Sequence, residues 1–157
     1  MSLNYTDLLL EAGHLLGKAK TKNTISEILI EYVNSGLQPD LSCFYVQEKS
    51  KDQMKLIIKR GFLEAPKIFQ NKSELFSFLF ESKEVACLNT RKESPFQEIL
   101  LNESMSSGIA AAIFLNDKEF GVLVVNSLQT FNFKKKELSF LENLVSLVIN
   151  QDLITRS

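Results

Sequence analysis

Residues 109 to 127, IAAAIFLNDKEFGVLVVNS, are two apolar runs joined by the polar residues Asn116 to Glu119. In a strand, side chains alternate between the two faces. Ile109, Ala111, Ile113 and Leu115 therefore project to one side, and Ala110, Ala112 and Phe114 to the other. On the partner run, Val122 and Val124 oppose Leu123 and Val125. Neither face is polar, so this hairpin belongs in the middle of a sheet that is covered on both sides. The consecutive alanines 110 to 112 limit bulk where a helix packs closely or where a ligand lies.

The flanking segments supply the covers. Leu8, Leu9, Ala12, Leu15, Leu16 and Ala19 recur at helical spacing, so a first helix starts near Asn4 or Thr6. Thr24 followed by Glu27 has the form of a capping box, opening a second helix that runs to about Ser35 and stops at SGLQPD. LSCFYVQ and MKLIIKR read as two strands joined through EKSKDQ. Ser73 caps a short helix bearing Leu75, Phe76, Phe78, Leu79 and Phe80, and EVACL is a short strand. Ser94, Pro95 and Gln97 then open another short helix reaching about Asn102.

The last helix, about 135 to 154, carries two apolar stripes: Leu138, Leu141, Val145 and Val148, then Phe140, Leu144, Leu147 and Ile154. A sheet covers one stripe, so a second partner is implied. A homodimer through the terminal helices supplies it, as does the first helix of the same chain laid over the last. The expected fold class is α+β, a single domain over residues 1–157. A central antiparallel sheet of five or six strands has the terminal helices on one face, with short helices and loops roofing the other.

A chain of 157 residues, 45% hydrophobic and 24% charged, suits one folded domain. Lysines and arginines number 18 against 19 acids, so no global field draws the chain to nucleic acid or to anionic membranes. No apolar run reaches the roughly 18 residues of a membrane span, and MSLNYTD lacks a signal pattern, so a cytoplasmic chain is expected. Cys43 and Cys87 have neither CxxC spacing nor histidine neighbours, and no metal is expected. His14, the sole histidine, stands apart from any nucleophile and carboxylate pattern, and no catalytic residue is expected.

In the order and spacing of these segments the chain resembles a GAF domain. Gly121-Val122-Leu123 after the turn, a following phenylalanine and the pair Glu137-Leu138 are similar to the family's closing strands and last helix. CLNTRKESPF is similar to its strand-to-loop segment. The resemblance implies a small-molecule sensory domain of a signalling protein, with a cavity between the sheet and residues 62 to 104. The change would be relayed through the terminal helices to an output domain outside this chain. Matched position by position, it implies ligand-binding roles for Ser42 and Phe44 on the first strand, Phe76 on the covering helix, and Asn89, Phe96 and Leu100 above them. It leaves the small molecule, and any cofactor, unidentified.

Several positions depart from the family pattern. Asn126 matches the start of the cyclic-nucleotide signature, but Ser127 replaces its lysine, and neither Phe131 nor Phe133 leads to an acidic pair. Phe114 stands for a common proline, Glu74 and Ser77 for glycines, and Lys134 for a capping hydroxyl. Some GAF-like enzymes reduce methionine sulfoxide with clustered cysteines, a chemistry that Cys43 and Cys87 alone support weakly. The alternative to a sensor is a ligand-free dimerisation module whose cavity is filled by its own Phe76, Phe78 and Phe80.

Overall fold

The computed structural model describes residues 4–48, 52–70, 74–90, 96–130 and 132–149. The chain opens with α1 (Tyr5–Lys18) and α2 (Lys22–Leu37), followed by β1 (Leu41–Glu48), β2 (Gln53–Arg60) and β3 (Ile68–Gln70). After these come α3 (Glu74–Ser82), β4 (Ala86–Leu88), a single 3-10 turn (Gln97–Ile99), β5 (Ser107–Leu115), β6 (Lys118–Ser127) and α4 (Lys135–Ile149).

Helix ends follow local capping chemistry. Asn4 accepts from the Asp7 backbone N–H at 3.2 Å and opens α1. At α2 the cap is Thr21, whose backbone is extended (φ −130, ψ 156), the conformation an N-cap requires, and whose Oγ1 accepts from the Thr24 N–H at 3.1 Å. The expected Thr24–Glu27 box is therefore corrected: Thr24 already lies inside the helix, and Glu27 accepts from the Asn23 side chain at 3.2 Å. Gln38 in the left-handed region (φ 47), ahead of Pro39, ends α2. At α4 the Glu137 carboxylate accepts from the Lys134 N–H at 2.7 Å, half of a capping box without the hydroxyl. The expected caps Ser73, Ser94 and Pro95, the hairpin residues 49 to 51, Phe131 and Ile154 lie outside the described residues.

Among the described residues, six strands form one antiparallel sheet in the order β3-β2-β1-β6-β5-β4. The β5–β6 hairpin turns through Asn116 (φ 51) and Asp117 (φ 63), the geometry whose twist matches that of the flanking strands. β1 lies on the other side of β6, so β6 is flanked on both edges, as its apolar faces demand. β3 is an addition to the sequence reading, since KIFQ is too short to display alternation. Its register with β2 spans Gln53↔Gln70 to Lys55↔Ile68.

The two faces separate as the alternation requires. Ile109, Ala111, Ile113, Leu123 and Val125 pack with α1, α2 and α4. Ala110, Ala112, Val122 and Val124 pack under α3 and the 3-10 turn, the roof. The described residues of the second stripe of α4, Phe140, Leu144 and Leu147, pack within the chain. Phe140 stacks on Tyr5 of α1 with ring centres 4.5 Å apart, and its ring lies where a side chain at Gly36 of α2 would have to go. The described part of the stripe thus has a partner within the chain, on α1 and α2.

Candidate functional site

Antiparallel partners share a face, so pairing with β6 fixes the phase of β1. Ser42 pairs with Val125 and Phe44 with Leu123, both on the helix side. Ser42 Oγ donates to Asn34 Oδ1 of α2 at 3.2 Å, and Phe44 packs on Phe120 with ring centres 5.3 Å apart. The expectation that Ser42 and Phe44 line the space beneath the roof is corrected by one residue. Cys43 and Tyr45 face it instead, because LSCFYVQ is apolar on both faces and cannot set its own phase. The structure brings Phe76, Phe96 and Leu100 into the roof cluster. Asn89, half-buried just past β4, accepts from the Cys87 thiol at 3.6 Å.

The space beneath the roof holds the protein's own rings. Tyr45 meets Phe69 edge-on at 4.9 Å, and Phe69 meets Phe76 edge-on at 5.3 Å, both favoured aromatic geometries. The Tyr45 hydroxyl donates to the Pro66 carbonyl at 2.6 Å, tying the chain ahead of β3 to the sheet. Met54, Leu75 and Leu79 are fully buried around these rings. Phe96 packs on Phe78 at 5.0 Å and sits at φ 77, a region bulky residues rarely enter and one that costs roughly 1–3 kcal/mol.

Burial pushes the Cys43 thiol up to about 12, with Lys59 and then Tyr45 pulling it back. At neutral pH such a thiol is protonated and inert as a nucleophile. Burial, and then the adjacent Cys43, raise the Tyr45 hydroxyl as well.

Asn126 joins the roof to the sheet. It is fully buried, its Oδ1 accepts from the Leu101 N–H at 2.7 Å, and its Nδ2 donates to the Ile99 carbonyl at 2.7 Å. Both backbone groups are thereby taken out of any continuing helix, so the helix expected to reach Asn102 is corrected to a 3-10 turn ending at Ile99. Gly108, the register partner of Asn126, makes the approach possible. A Cβ there would stand 2.5 Å from Ile99 Cγ2 and 2.8 Å from Asn126 Nδ2.

A cavity of about 580 Å³ opens on the other side of the sheet, between the start of α2, the end of β1 and the β5–β6 turn. A more open groove lies beside it between α2 and β2, where Arg60 and Glu31 pair at 3.6 Å.

The order of elements, the sheet topology and the two covered faces match known structures. The GAF domain of an Acinetobacter phosphoenolpyruvate-protein phosphotransferase superposes with a TM-score of 0.75 at 20% identity, over 94% of this chain and 92% of that one. The chain has a GAF-like fold. A free methionine-R-sulfoxide reductase from Neisseria meningitidis, solved with its substrate, gives 0.78 at 14% identity over 94% and 90% of the two chains. The phycocyanobilin-bound GAF domain of a cyanobacterial phytochrome gives 0.73 at 17% identity over 94% and 93%. At these identities the likeness is one of fold. No family model and no curated protein matches the chain.

Within this GAF-like frame the two thiols are divided by the sheet. Cys43 faces the roof, whereas Cys87 packs with the helix side and donates to the Phe133 carbonyl at 3.8 Å. A thiol pair of the kind needed for sulfoxide reduction is not assembled from them. Among the described residues, no three His, Cys, Asp or Glu side chains group as metal ligands, and no helix is long and apolar enough to cross a membrane.

Proposed function

We propose that the chain is a regulatory module of a signalling protein, a single domain over residues 1–157 with no chemistry of its own. Its roof-side site is held shut by its own side chains. The observation carrying this reading is the Tyr45–Phe69–Phe76 series, sealed by the Tyr45 bond to Pro66. The separation of the thiols, and the protonated state that burial imposes on Cys43, weigh against a redox enzyme.

As a sensor, the module admits a small molecule beneath the roof only by displacing Phe69 and Phe76. β3, an edge strand with a short register, is the element that yields. Asn126 and β6 support a relay: β6 bonds the roof through Asn126, and its Leu123 and Val125 pack among the terminal helices that lead to an output domain. The self-filled site also fits a second reading, a ligand-free interaction module. A homodimer of this chain would then rest on Leu10 and Leu15, exposed on α1.

Thermal shift against nucleotides, amino acids, tetrapyrroles and 2-keto acids, paired with sedimentation velocity, separates the readings. A sensor ligand at 100 times its Kd adds about 2.7 kcal/mol, or roughly 5–11 °C for a domain of this size. No shift with any class, together with a concentration-dependent dimer, overturns the sensor in favour of the interaction module. Turnover of free methionine sulfoxide with dithiothreitol overturns both.

A further inference from the structure

We propose that the helix-side cavity binds a small organic anion with an apolar body, such as an arylacetate or a branched-chain carboxylate. Two independent irregularities of the sheet build its wall. In the β1–β2 ladder Phe44 pairs with Ile58 and Tyr45 with Leu56, so Ile57 is an extra residue without a partner. In the β5–β6 ladder Ile113 pairs with Gly121 and Phe114 with Glu119, which leaves Phe120 as the extra residue. Bulges re-aim side chains, and both of these aim an apolar one at the same cavity.

Val46 and Leu115 complete the apolar floor with Ile57 and Phe120, and the Phe120 ring is braced by Phe44. Ile57 stays 40% exposed, an apolar wall facing open space and not core. Among the described residues at the rim, Lys22 at the start of α2 and Lys118 at the head of β6 stand against one carboxylate, Glu119, so their sum at the mouth is positive. A volume of about 580 Å³ lies within the range of small-ligand sites, roughly 300–1,000 Å³. A neutral apolar ligand would leave the lysines unused, and a cation would meet two like charges. This site is separated from the roof by the sheet and does not depend on the regulatory reading.

The test is an amide-resolved NMR titration of the intact chain with phenylacetate, and with phenylacetamide as its neutral isostere. Phenylacetate should move amides of residues 22–26 and 115–121 while those of 69–70 and 74–79 stay fixed. Phenylacetamide should bind at least about fivefold more weakly, the loss of roughly 1 kcal/mol of charge pairing. Lys22→Glu combined with Lys118→Glu, both on the exposed rim, should abolish the preference for the anion at unchanged melting temperature. Ile57→Ser should weaken both ligands. Equal affinity for the two ligands, shifts confined to the roof, or no movement at millimolar phenylacetate overturns the proposal.

Discussion

Removing the Asn126 side chain should unfasten the roof. Asn126→Ala breaks both 2.7 Å bonds and leaves the Leu101 N–H and the Ile99 carbonyl buried without partners. An unsatisfied buried backbone group costs about 1–3 kcal/mol, so the pair costs about 2–6 kcal/mol. Against a total stability of about 5–15 kcal/mol this is a large fraction. With a urea slope near 2 kcal/mol/M, the unfolding midpoint should fall by about 1–3 M. Hydrogen exchange localises the effect: the Leu101 amide should lose protection ahead of the β1 and β6 amides, since the roof opens before the sheet. A midpoint lowered by less than about 0.3 M, with Leu101 still protected, would refute the assignment of Asn126 as the fastening between roof and sheet.

Three further outcomes follow from the packing and the caps. Thr21→Ala should cost about 0.5–2 kcal/mol by urea melting, whereas Thr24→Ala, past the cap, should cost under about 0.5 kcal/mol; the reverse order would restore the Thr24–Glu27 box. Gly36→Ala should destabilise by about 1–3 kcal/mol, because overpacking against Phe140 outweighs the gain of up to about 1 kcal/mol in helix propensity; a neutral or stabilising result would mean that α2 and α4 are not in this contact. For Cys43 the folded thiol is raised from its ordinary 9.0 to about 12, so above pH 9 the unfolded chain loses its proton first. Its contribution is complete below about pH 9 and falls by about 1.4 kcal/mol per unit on the way to 12, so Cys43→Ala should flatten the alkaline limb of a stability–pH profile.

How much was legible varied with the reach of the signal. The β5–β6 hairpin could be read because its alternation is long and local, and its two apolar faces dictated both covers. The phase of β1 could not, because Ser42 to Tyr45 are buried on both faces and only the register with Leu123 and Val125 decides which side each meets. Sequence patterning shows that α4 has two apolar stripes, but that α1 and α2 meet the second one at Phe140 is a tertiary fact, carried by the Tyr5–Phe140 stack. In the sequence Asn126 stands out only for a signature it fails to complete, while its role depends on Leu101, some 25 residues away. The bulged residues Ile57 and Phe120 left no trace in periodicity, since a bulge is a property of two strands together. The rings at 76, 78 and 80 announce an apolar roof, whereas Phe69, in a three-residue strand, carries no such signal.

The protein's own aromatic side chains fill the roof-side space. Xenon occupies dry apolar voids, and diffraction from a crystal under xenon pressure reads it directly. No xenon is predicted among Tyr45, Phe69 and Phe76 in the native chain, and a bound atom is predicted there in Phe76→Ala. Xenon beneath the roof of the native protein would contradict the account.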